Sequence, residues 1–203
     1  MTDCFALLDE PRRPWLAPEP LKQKFLTRSA AFHPDRVHNA SEPERRAAQD
    51  FYTELNAAYQ KLRDPKLRLQ HLLELEQGAR PQQVQSIPAE LMNLGLEIGG
   101  LCREADALLQ EKAQATSRLQ KANLFTRAHE AIGRLTGLQR QLNSRHEQLI
   151  TQLKSLDAQW NAGDAPGARA TLLPPLEALY RLLSYFERWS EQVQPRVVQL
   201  SLD

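Results

Sequence analysis

The sequence predicts an all-α protein with two helical domains. Only 8 of its 203 residues are glycine, and the long stretches between prolines consist largely of Leu, Ala, Gln, Glu, Arg and Lys, which favour helix. No run alternates β-branched or aromatic residues with polar ones, as a half-buried strand would. Clusters of proline and glycine divide the chain into helical segments. A chain of this length can form two small compact units, each with its own core.

The first domain is predicted over residues 1–78 and begins with a short helix and a longer one. The apolar segment 4–9 can form one or two turns and is closed by prolines. The second helix, residues 19–32, begins with an acidic residue and a proline, which are favoured in a first turn. Its predicted buried line is formed by Leu21, Phe25 and Phe32. Pro34 ends this helix, since the residue before a proline is disfavoured in the α conformation.

Two further helices complete the first domain. Ser41 is the predicted N-cap of a helix over residues 42–63, with a proline and acidic residues in its first turn. The predicted buried stripe of this helix consists of Ala48, Phe51, Leu55, Ala58, Tyr59 and Leu62. Pro65 interrupts the chain, and a last helix over residues 67–76 ends at Gly78, a residue suited to the left-handed conformation at a helix C-terminus.

Residues 79–88, with two prolines and three glutamines, are the predicted linker between the domains. Residues 89–203 are predicted to form an antiparallel three-helix bundle, because long helical segments alternate with short loops. Its predicted helices span residues 89–112, 117–160 and 165–194. A break in the second of them is expected near residues 122–125.

Charge and hydropathy exclude several classes of function. With 26 basic and 25 acidic residues the net charge is +1, which gives no broad positive field for nucleic acid. No apolar run approaches the roughly 20 residues that span a bilayer, and residues 1–10 lack the basic start of a signal peptide. The sequence therefore predicts a cytoplasmic protein that binds neither nucleic acid nor membrane, as a monomer or weak dimer.

Motifs for catalysis and cofactor binding are missing from the sequence. Cys4 and Cys102 are too few and too far apart for a zinc site or a disulfide framework. Neither a phosphate-binding loop nor the glycine pattern of dinucleotide binding occurs. His129 and His146 each precede a glutamate but lack the second histidine of a zinc protease helix. We expect no metal, no cofactor and no catalysis by the chain itself.

The tripeptide His33-Pro34-Asp35 lies between the second and third predicted helices. Pro34 fixes one backbone dihedral, so that an imidazole and a carboxylate can be presented to a partner with little loss of entropy. A carboxylate facing a partner's arginine would form a charge-assisted hydrogen bond. The alternative is a plain turn between helices, with His33 and Asp35 as local capping residues.

The tripeptide and the residues after it resemble a J-domain, the module with which co-chaperones stimulate the ATPase of DnaK-class chaperones. The stretch Leu55–Pro65, of sequence LNAAYQKLRDP, resembles more closely the HscB family, the J-type co-chaperones of iron-sulfur cluster assembly. Further matching positions are Arg68, Leu72, Leu73, Leu75 and Gly78. This resemblance covers residues 5–78. It implies a non-enzymatic co-chaperone whose partners are a DnaK/HscA-class chaperone and, through the bundle, an iron-sulfur scaffold protein.

The resemblance implies a chaperone-binding surface on the tripeptide and the helix before it. Its predicted residues are His33, Pro34, Asp35, Arg36, Lys22, Lys24, Arg28 and Asn56. By helical spacing Lys22 and Lys24 flank the buried line on opposite sides, and Arg28 lies close to the core edge. The outermost positions are predicted to be Gln23, Leu26, Thr27 and Ala30. Ordinary solvated lysines are the alternative interpretation of this helix face.

The resemblance also implies a scaffold-binding patch on the bundle. Its predicted residues are Leu91, Met92, Leu96, Glu97 and Tyr180. One residue is inserted between the Leu-Met and Leu-Glu pairs relative to the family, and one position rotates a helical residue by about 100°. The aromatic residue that the family has on its last helix aligns with Ala178, and Tyr180 is the nearest substitute.

Three glycines interrupt the helix that carries the patch. Gly95, Gly99 and Gly100 stand where the family has polar or acidic residues, and each glycine costs a helix roughly 1 kcal/mol relative to alanine. Two alternatives therefore remain open. The patch residues could be ordinary bundle core, and the protein could be a helical interaction adaptor with a J-like domain and a different client.

Overall fold

The computed structural model describes residues 2–32, 41–81, 88–162 and 167–202. Within these ranges the regular structure is helical throughout, which confirms the predicted all-α class. The helices are α1 (Cys4–Leu7), α2 (Pro18–Ala30), α3 (Glu42–Arg63), α4 (Pro65–Gln77), α5 (Met92–Gln114), α6 (Arg118–Ala162) and α7 (Ala168–Ser201), and a 3-10 turn spans Ala89–Leu91. None of the described helices is both long and apolar enough to cross a membrane.

The chain divides into two compact units. The first contains residues 1–82 together with residues 150–180, and the second contains residues 83–149 together with residues 181–203. Helices α6 and α7 therefore each contribute residues to both units. The predicted linker over residues 79–88 stays a prediction, and most of it lies outside the described residues.

Local capping interactions set the helix ends of the first unit. The backbone N–H of Ser41 donates to the Glu44 carboxylate at 2.9 Å, and the Ser41 side chain accepts from the backbone of Glu44, so that α3 begins with a capping box. The Asp64 carboxylate accepts the Leu67 N–H at 2.8 Å and caps α4. Gly78 ends α4 with a φ of 71°, in the left-handed region that glycine adopts without strain.

Helices α2 and α3 pack side by side in antiparallel directions. The rings of Phe25 and Tyr59 stack with centroids 4.4 Å apart, and those of Phe32 and Phe51 lie 4.3 Å apart. Phe32 follows Phe25 in the chain, whereas its contact Phe51 precedes Tyr59, so the two helices run in opposite directions. Below these rings Leu21 is fully buried, as its place on the predicted apolar line requires.

The core under this pair is completed by α1 and α4. Its fully buried side chains include Phe5, Leu8, Leu55, Leu62, Leu69, Leu72 and Leu73. His71 stacks on Phe5 with centroids 5.8 Å apart, and its Nε2 accepts the backbone N–H of Cys4 at 3.0 Å. This acceptor role requires an unprotonated Nε2. Burial, followed by the charge of Lys61, lowers the pKa of His71.

Asp157, near the end of α6, holds the segment before α2. Its carboxylate accepts two hydrogen bonds from the Arg13 guanidinium, one of them 3.0 Å long from Nε, and another of 3.0 Å from the backbone N–H of Trp15. One turn later, the Trp160 indole N–H donates to the Arg12 carbonyl at 2.9 Å. Because Asp157 and Trp160 are both buried, this segment is tied firmly to α6.

Arg68 is a buried cation in the same unit, only 1% exposed. Its Nε donates to the Pro14 carbonyl at 2.8 Å and its Nη1 to the Leu62 carbonyl at 2.7 Å. The guanidinium also lies over the Trp15 ring, 5.1 Å from its centroid. Burial lowers the pKa of Arg68 to about 10, so the side chain stays charged at neutral pH. The segment that contains Pro14 and Trp15 and the end of α3 converge on it.

In the second unit, α5 packs between α6 and the end of α7. Ion pairs join Glu104 to Arg134 and Glu111 to Arg127, so α5 and α6 are antiparallel. Asp106 pairs with Arg196 at 2.8 Å, and Lys112 donates to the Leu202 carbonyl at 2.9 Å, so α5 and the end of α7 are parallel. The core residues include Ile98, Cys102, Ala105, Leu108, Leu135, Leu138, Leu142, Leu183, Phe186, Trp189 and Val193.

Two of the predicted helix limits are wrong. The expected break at residues 122–125 is absent, and α6 continues through them, because the stretch contains no proline or glycine and Leu124 is buried. The last helix was expected to end at residue 194, but α7 continues past Pro195 to Ser201. Burial of Leu200, which is 3% exposed, favours this extension over the hydrogen bond that the proline removes.

Candidate functional site

The predicted chaperone-binding tripeptide lies outside the described residues, as does Arg36. In the sequence it follows Phe32 directly, after the last turn of α2. The flanking helices are described, and the contacts of Phe25 with Tyr59 and of Phe32 with Phe51 hold them antiparallel. The described structure therefore provides the packed helical pair on which the predicted site depends.

The basic residues of α2 differ in how far they are available to a partner. Lys22 is exposed. Lys24 donates to the Asp9 carbonyl at 2.5 Å and pairs with Glu10 at 3.2 Å, so it fastens α2 to the segment before it. Arg28 is half-buried, and its buried Nε has no hydrogen-bond partner in the described part of the chain. Lys22 is thus the α2 cation with the greatest freedom to meet an acidic surface.

The outer face of α2 agrees with the helical spacing. The residues predicted to be outermost, Gln23, Leu26, Thr27 and Ala30, are all exposed. Leu26 is 47% exposed, which places an apolar side chain at the centre of this face. Asn56 of α3, also predicted to bind the chaperone, is half-buried.

The predicted scaffold-binding residues of α5 lie largely on its surface. Met92 is 44% exposed and Leu96 is 66% exposed, and a separation of four positions places them on the same helix face. Glu97 is exposed beside them, and Leu91 is half-buried in the 3-10 turn that precedes α5. Met92 and Leu96 therefore form an exposed apolar pair, whereas ordinary core residues such as Ile98 point inward.

Tyr180, the fifth predicted scaffold-binding residue, is buried. It lies on α7 within the first unit and is 8% exposed. Its ring therefore offers little surface to a partner. Ala178, which aligns with the family's aromatic residue, is exposed.

The described residues contain no arrangement that could hold a metal ion. No three His, Cys, Asp or Glu side chains are grouped there as a metal would require. Cys4 and Cys102 are buried free thiols, and burial raises the pKa of both.

Comparison with known proteins identifies relatives of this chain, although no family model matches it. The HscB co-chaperone homologue of Bordetella pertussis is 43% identical over 72 residues, which are 36% of this chain and 42% of the relative. The HscB homologue of Paraburkholderia phytofirmans is 35% identical over 112 residues, which cover 51% of this chain and 63% of the relative. The chain thus spans less than two thirds of the length of these curated relatives.

Two solved structures share the fold over nearly the whole chain. HscB from Vibrio cholerae has a TM-score of 0.62 at 21% identity and covers 98% of this chain and 99% of its own. Human HscB has a TM-score of 0.61 at 15% identity and covers 96% of this chain and 82% of its own. The chain is similar to HscB co-chaperones in sequence over part of its length and in fold over nearly all of it. The resemblance predicted from the sequence is confirmed.

Two exposed apolar residues of α6 lie outside the candidate surfaces described above. Leu119 is 82% exposed and Phe125 is 69% exposed, and neither belongs to a predicted site. A signal was available in the spacing. The buried line of α6 consists of Leu124, Ala128, Ala131, Leu135, Leu138 and Leu142, and neither residue falls on it.

Proposed function

We propose that this HscB relative stimulates ATP hydrolysis by a DnaK/HscA-class chaperone through His33-Pro34-Asp35. The observation that carries the proposal is the position of the tripeptide between α2 and α3, which pack antiparallel through their aromatic rings. The similarity to curated HscB co-chaperones supports the same function. The protein would act in the cytoplasm as a non-enzymatic partner, and the ATP chemistry belongs to the chaperone.

Stimulation requires that the chain bind one chaperone conformation more tightly than the other. A ligand with equal affinity for both conformations shifts no equilibrium. The Asp35 carboxylate can supply the difference if it reaches an arginine of the chaperone in the hydrolysing conformation, because a charge-assisted hydrogen bond is roughly twice as strong as a neutral one. Lys22, exposed on α2, adds a longer-range attraction to an acidic surface.

The role of Asp35 is tested by steady-state ATPase measurements with an HscA-class chaperone. Asp35→Asn keeps the shape of the side chain and removes its charge, so we expect stimulation to fall at least about 10-fold, equivalent to about 1.4 kcal/mol. Asn39→Ala, in the same segment between α2 and α3, is the matched control and should stimulate like the unmodified protein. Equal stimulation by Asp35→Asn and the control would contradict the proposed role.

We further propose that the exposed pair Met92 and Leu96 binds an iron-sulfur scaffold protein for delivery to the chaperone. Both side chains are available on one face of α5, and burying a large apolar side chain contributes about 1.5–3 kcal/mol. Glu97 lies exposed beside them and can select a basic or amide partner.

Isothermal titration with a purified scaffold protein tests this second proposal. Leu96→Ala is expected to weaken binding at least about 10-fold, since most of the exposed apolar contact is removed. Leu119→Ala is the matched control, because Leu119 is also highly exposed on the second unit but lies on α6. Unchanged affinity for Leu96→Ala would contradict this patch.

The burial of Tyr180 favours a second candidate, a helical adaptor with a different client. The resemblance to HscB implies a patch that includes an aromatic residue of the last helix. Tyr180 offers little exposed surface for that role. The same titration separates the two functions. Absence of any scaffold binding, together with normal ATPase stimulation, would favour the adaptor.

A further inference from the structure

The exposed apolar residues Leu119 and Phe125 lie next to open cavities at the connection between α5 and α6. One cavity, of about 490 Å³, is lined by Ala115, Leu119 and Leu124 among others. The second, of about 320 Å³, is lined by Lys112, Ala115, Lys121, Leu124 and Phe125. Both lie within the second unit, and both volumes fall in the range of binding sites that accept a side chain or a small ligand.

The connection that shapes these cavities is held by capping interactions. Ser117 and Gln120 exchange hydrogen bonds of 3.2 Å, the N–H of each donating to the side-chain oxygen of the other, at the start of α6. At the neighbouring end of α7, the Lys112 ammonium donates to the carbonyls of Leu200 and Leu202. Leu202 itself is 64% exposed, so this end of the unit has a defined shape and a substantial apolar surface.

The charges around the second cavity are of one sign. Lys112 and Lys121 line it together with the exposed Phe125, and no acidic residue does. In the described part of the chain, neither lysine has a carboxylate within ion-pair distance, and the hydrogen-bond partners of Lys112 are neutral carbonyls. At the first cavity, by contrast, Glu111 and Arg127 neutralise each other through a 2.5 Å contact. Among the described residues, the apolar surface around Phe125 is therefore bordered by two lysines without a carboxylate partner.

We propose that this surface, formed by Lys112, Lys121, Phe125 and the second cavity, binds an acidic amphipathic helix of a partner protein. The apolar face of such a helix would cover Phe125, and its carboxylates would reach Lys121 and Lys112. Lys121 and Phe125 are four positions apart and share one face of α6, so one partner segment can contact both. Groove binding by an amphipathic helix is a common mode of recognition.

A second copy of this chain fits the surface less well. In a symmetric dimer the same patch meets itself, so Lys112 and Lys121 of each copy would approach the same lysines of the other. Like charges brought together at an interface oppose association. The surface is also distinct from the Met92 and Leu96 pair of α5, so its test does not depend on scaffold binding.

The test measures fluorescence anisotropy of two labelled 16-residue helical peptides with the full chain. Both carry leucines on one face, and the other face carries glutamates in one peptide and lysines in the other. We expect the glutamate peptide to bind at least 10-fold more tightly than the lysine peptide. Phe125→Ser should weaken the binding of the glutamate peptide at least 10-fold. Lys121→Glu should reverse which of the two peptides binds more tightly.

Control variants distinguish binding at this site from non-specific binding of the peptides. Phe125 is 69% exposed, so Phe125→Ser is expected to keep the helical circular dichroism of the unmodified chain. Leu96→Ala, in the α5 pair, should leave both affinities unchanged. Equal affinity of the two peptides, or affinities unaffected by both α6 variants, would overturn the proposal. A dimer in sedimentation velocity that Phe125→Ser abolishes would also overturn it and assign the surface to a second copy.

Discussion

The first unit buries a histidine whose hydrogen bond depends on its protonation state. His71 is 1% exposed and must keep Nε2 free of a proton in order to accept the Cys4 N–H. Its pKa is lowered by burial first and by Lys61 next, while Asp3 and Glu74 partly oppose the change. The folded protein therefore prefers neutral His71, whereas the unfolded chain takes up a proton near the ordinary histidine pKa of about 6.5.

This difference predicts a loss of stability in mild acid. Below about pH 6.5 the unfolded state binds a proton that the folded state resists, so the unfolding free energy falls by up to about 1.4 kcal/mol per pH unit until the lowered pKa of His71 is reached. Above that pH, His71 contributes no pH dependence. His71→Gln offers an amide oxygen to Cys4 and cannot titrate. Urea unfolding at pH 7.5 and 5.5 should show a smaller loss for this variant, and equal losses would contradict the assignment.

At the scale of single helices, the glycines of α5 lower the stability of that helix, because glycine has a lower helix propensity than alanine. A Cβ built at Gly100 meets no atom within 4 Å, whereas one at Gly99 meets the Arg103 guanidinium at 3.4 Å. No close neighbour therefore requires glycine at position 100. The cost of this glycine falls on α5, which carries the Met92 and Leu96 pair.

Gly100→Ala should therefore stabilise the protein by about 0.5–1 kcal/mol, because alanine loses less backbone entropy in a helix and no clash opposes it. Chemical denaturation followed by circular dichroism measures the change. Gly78→Ala is the matched comparison: Gly78 also has open space but has a φ of +71°, so alanine there should destabilise. A destabilised Gly100→Ala variant would show that α5 needs its flexibility at this position.

The helix ends were more predictable from the sequence than the contacts between distant segments. Ser41, Asp64 and Gly78 act on residues at most four positions away, so their roles follow from local pattern. The pairing of Arg13 with Asp157 joins positions 144 residues apart, and no local pattern specifies it. The apolar pair on α5 was predicted through family resemblance, whereas the exposure of Phe125 required the buried line of α6 to be known.

At the scale of the whole molecule, the first unit includes residues 150–180. Asp157 and Trp160 bind the segment containing Arg12, Arg13 and Trp15. The Lys154 ammonium lies over the Trp15 ring, 4.7 Å from its centroid. Residues 1–82 alone lack all of these partners. The Arg13 side chain is 33% exposed, so breaking its pair with Asp157 should cost less than the roughly 3–5 kcal/mol typical of a fully buried pair.

A fragment of residues 1–82 should therefore unfold at a lower temperature than the same residues in the full chain. Differential scanning calorimetry compares the two. In the full chain Asp157→Ala should also lower the unfolding temperature, because it leaves the Arg13 guanidinium and the Trp15 N–H without their acceptor. Asp50→Ala, at an exposed position of α3, serves as the control. A fragment as stable as the full chain would show that residues 150–180 contribute nothing to the fold of residues 1–82.

The continuity of α6 limits how this protein can be recombined. One 45-residue helix supplies side chains to both compact units. A cut at residues 79–88 therefore divides the first unit and leaves its amino-terminal part without Asp157 and Trp160. A chimera that grafts residues 1–78 onto a foreign carboxy-terminal half would inherit an incomplete interior. Exchange of functional halves among related proteins would have to carry the distal stretch of this helix along with the amino-terminal segment.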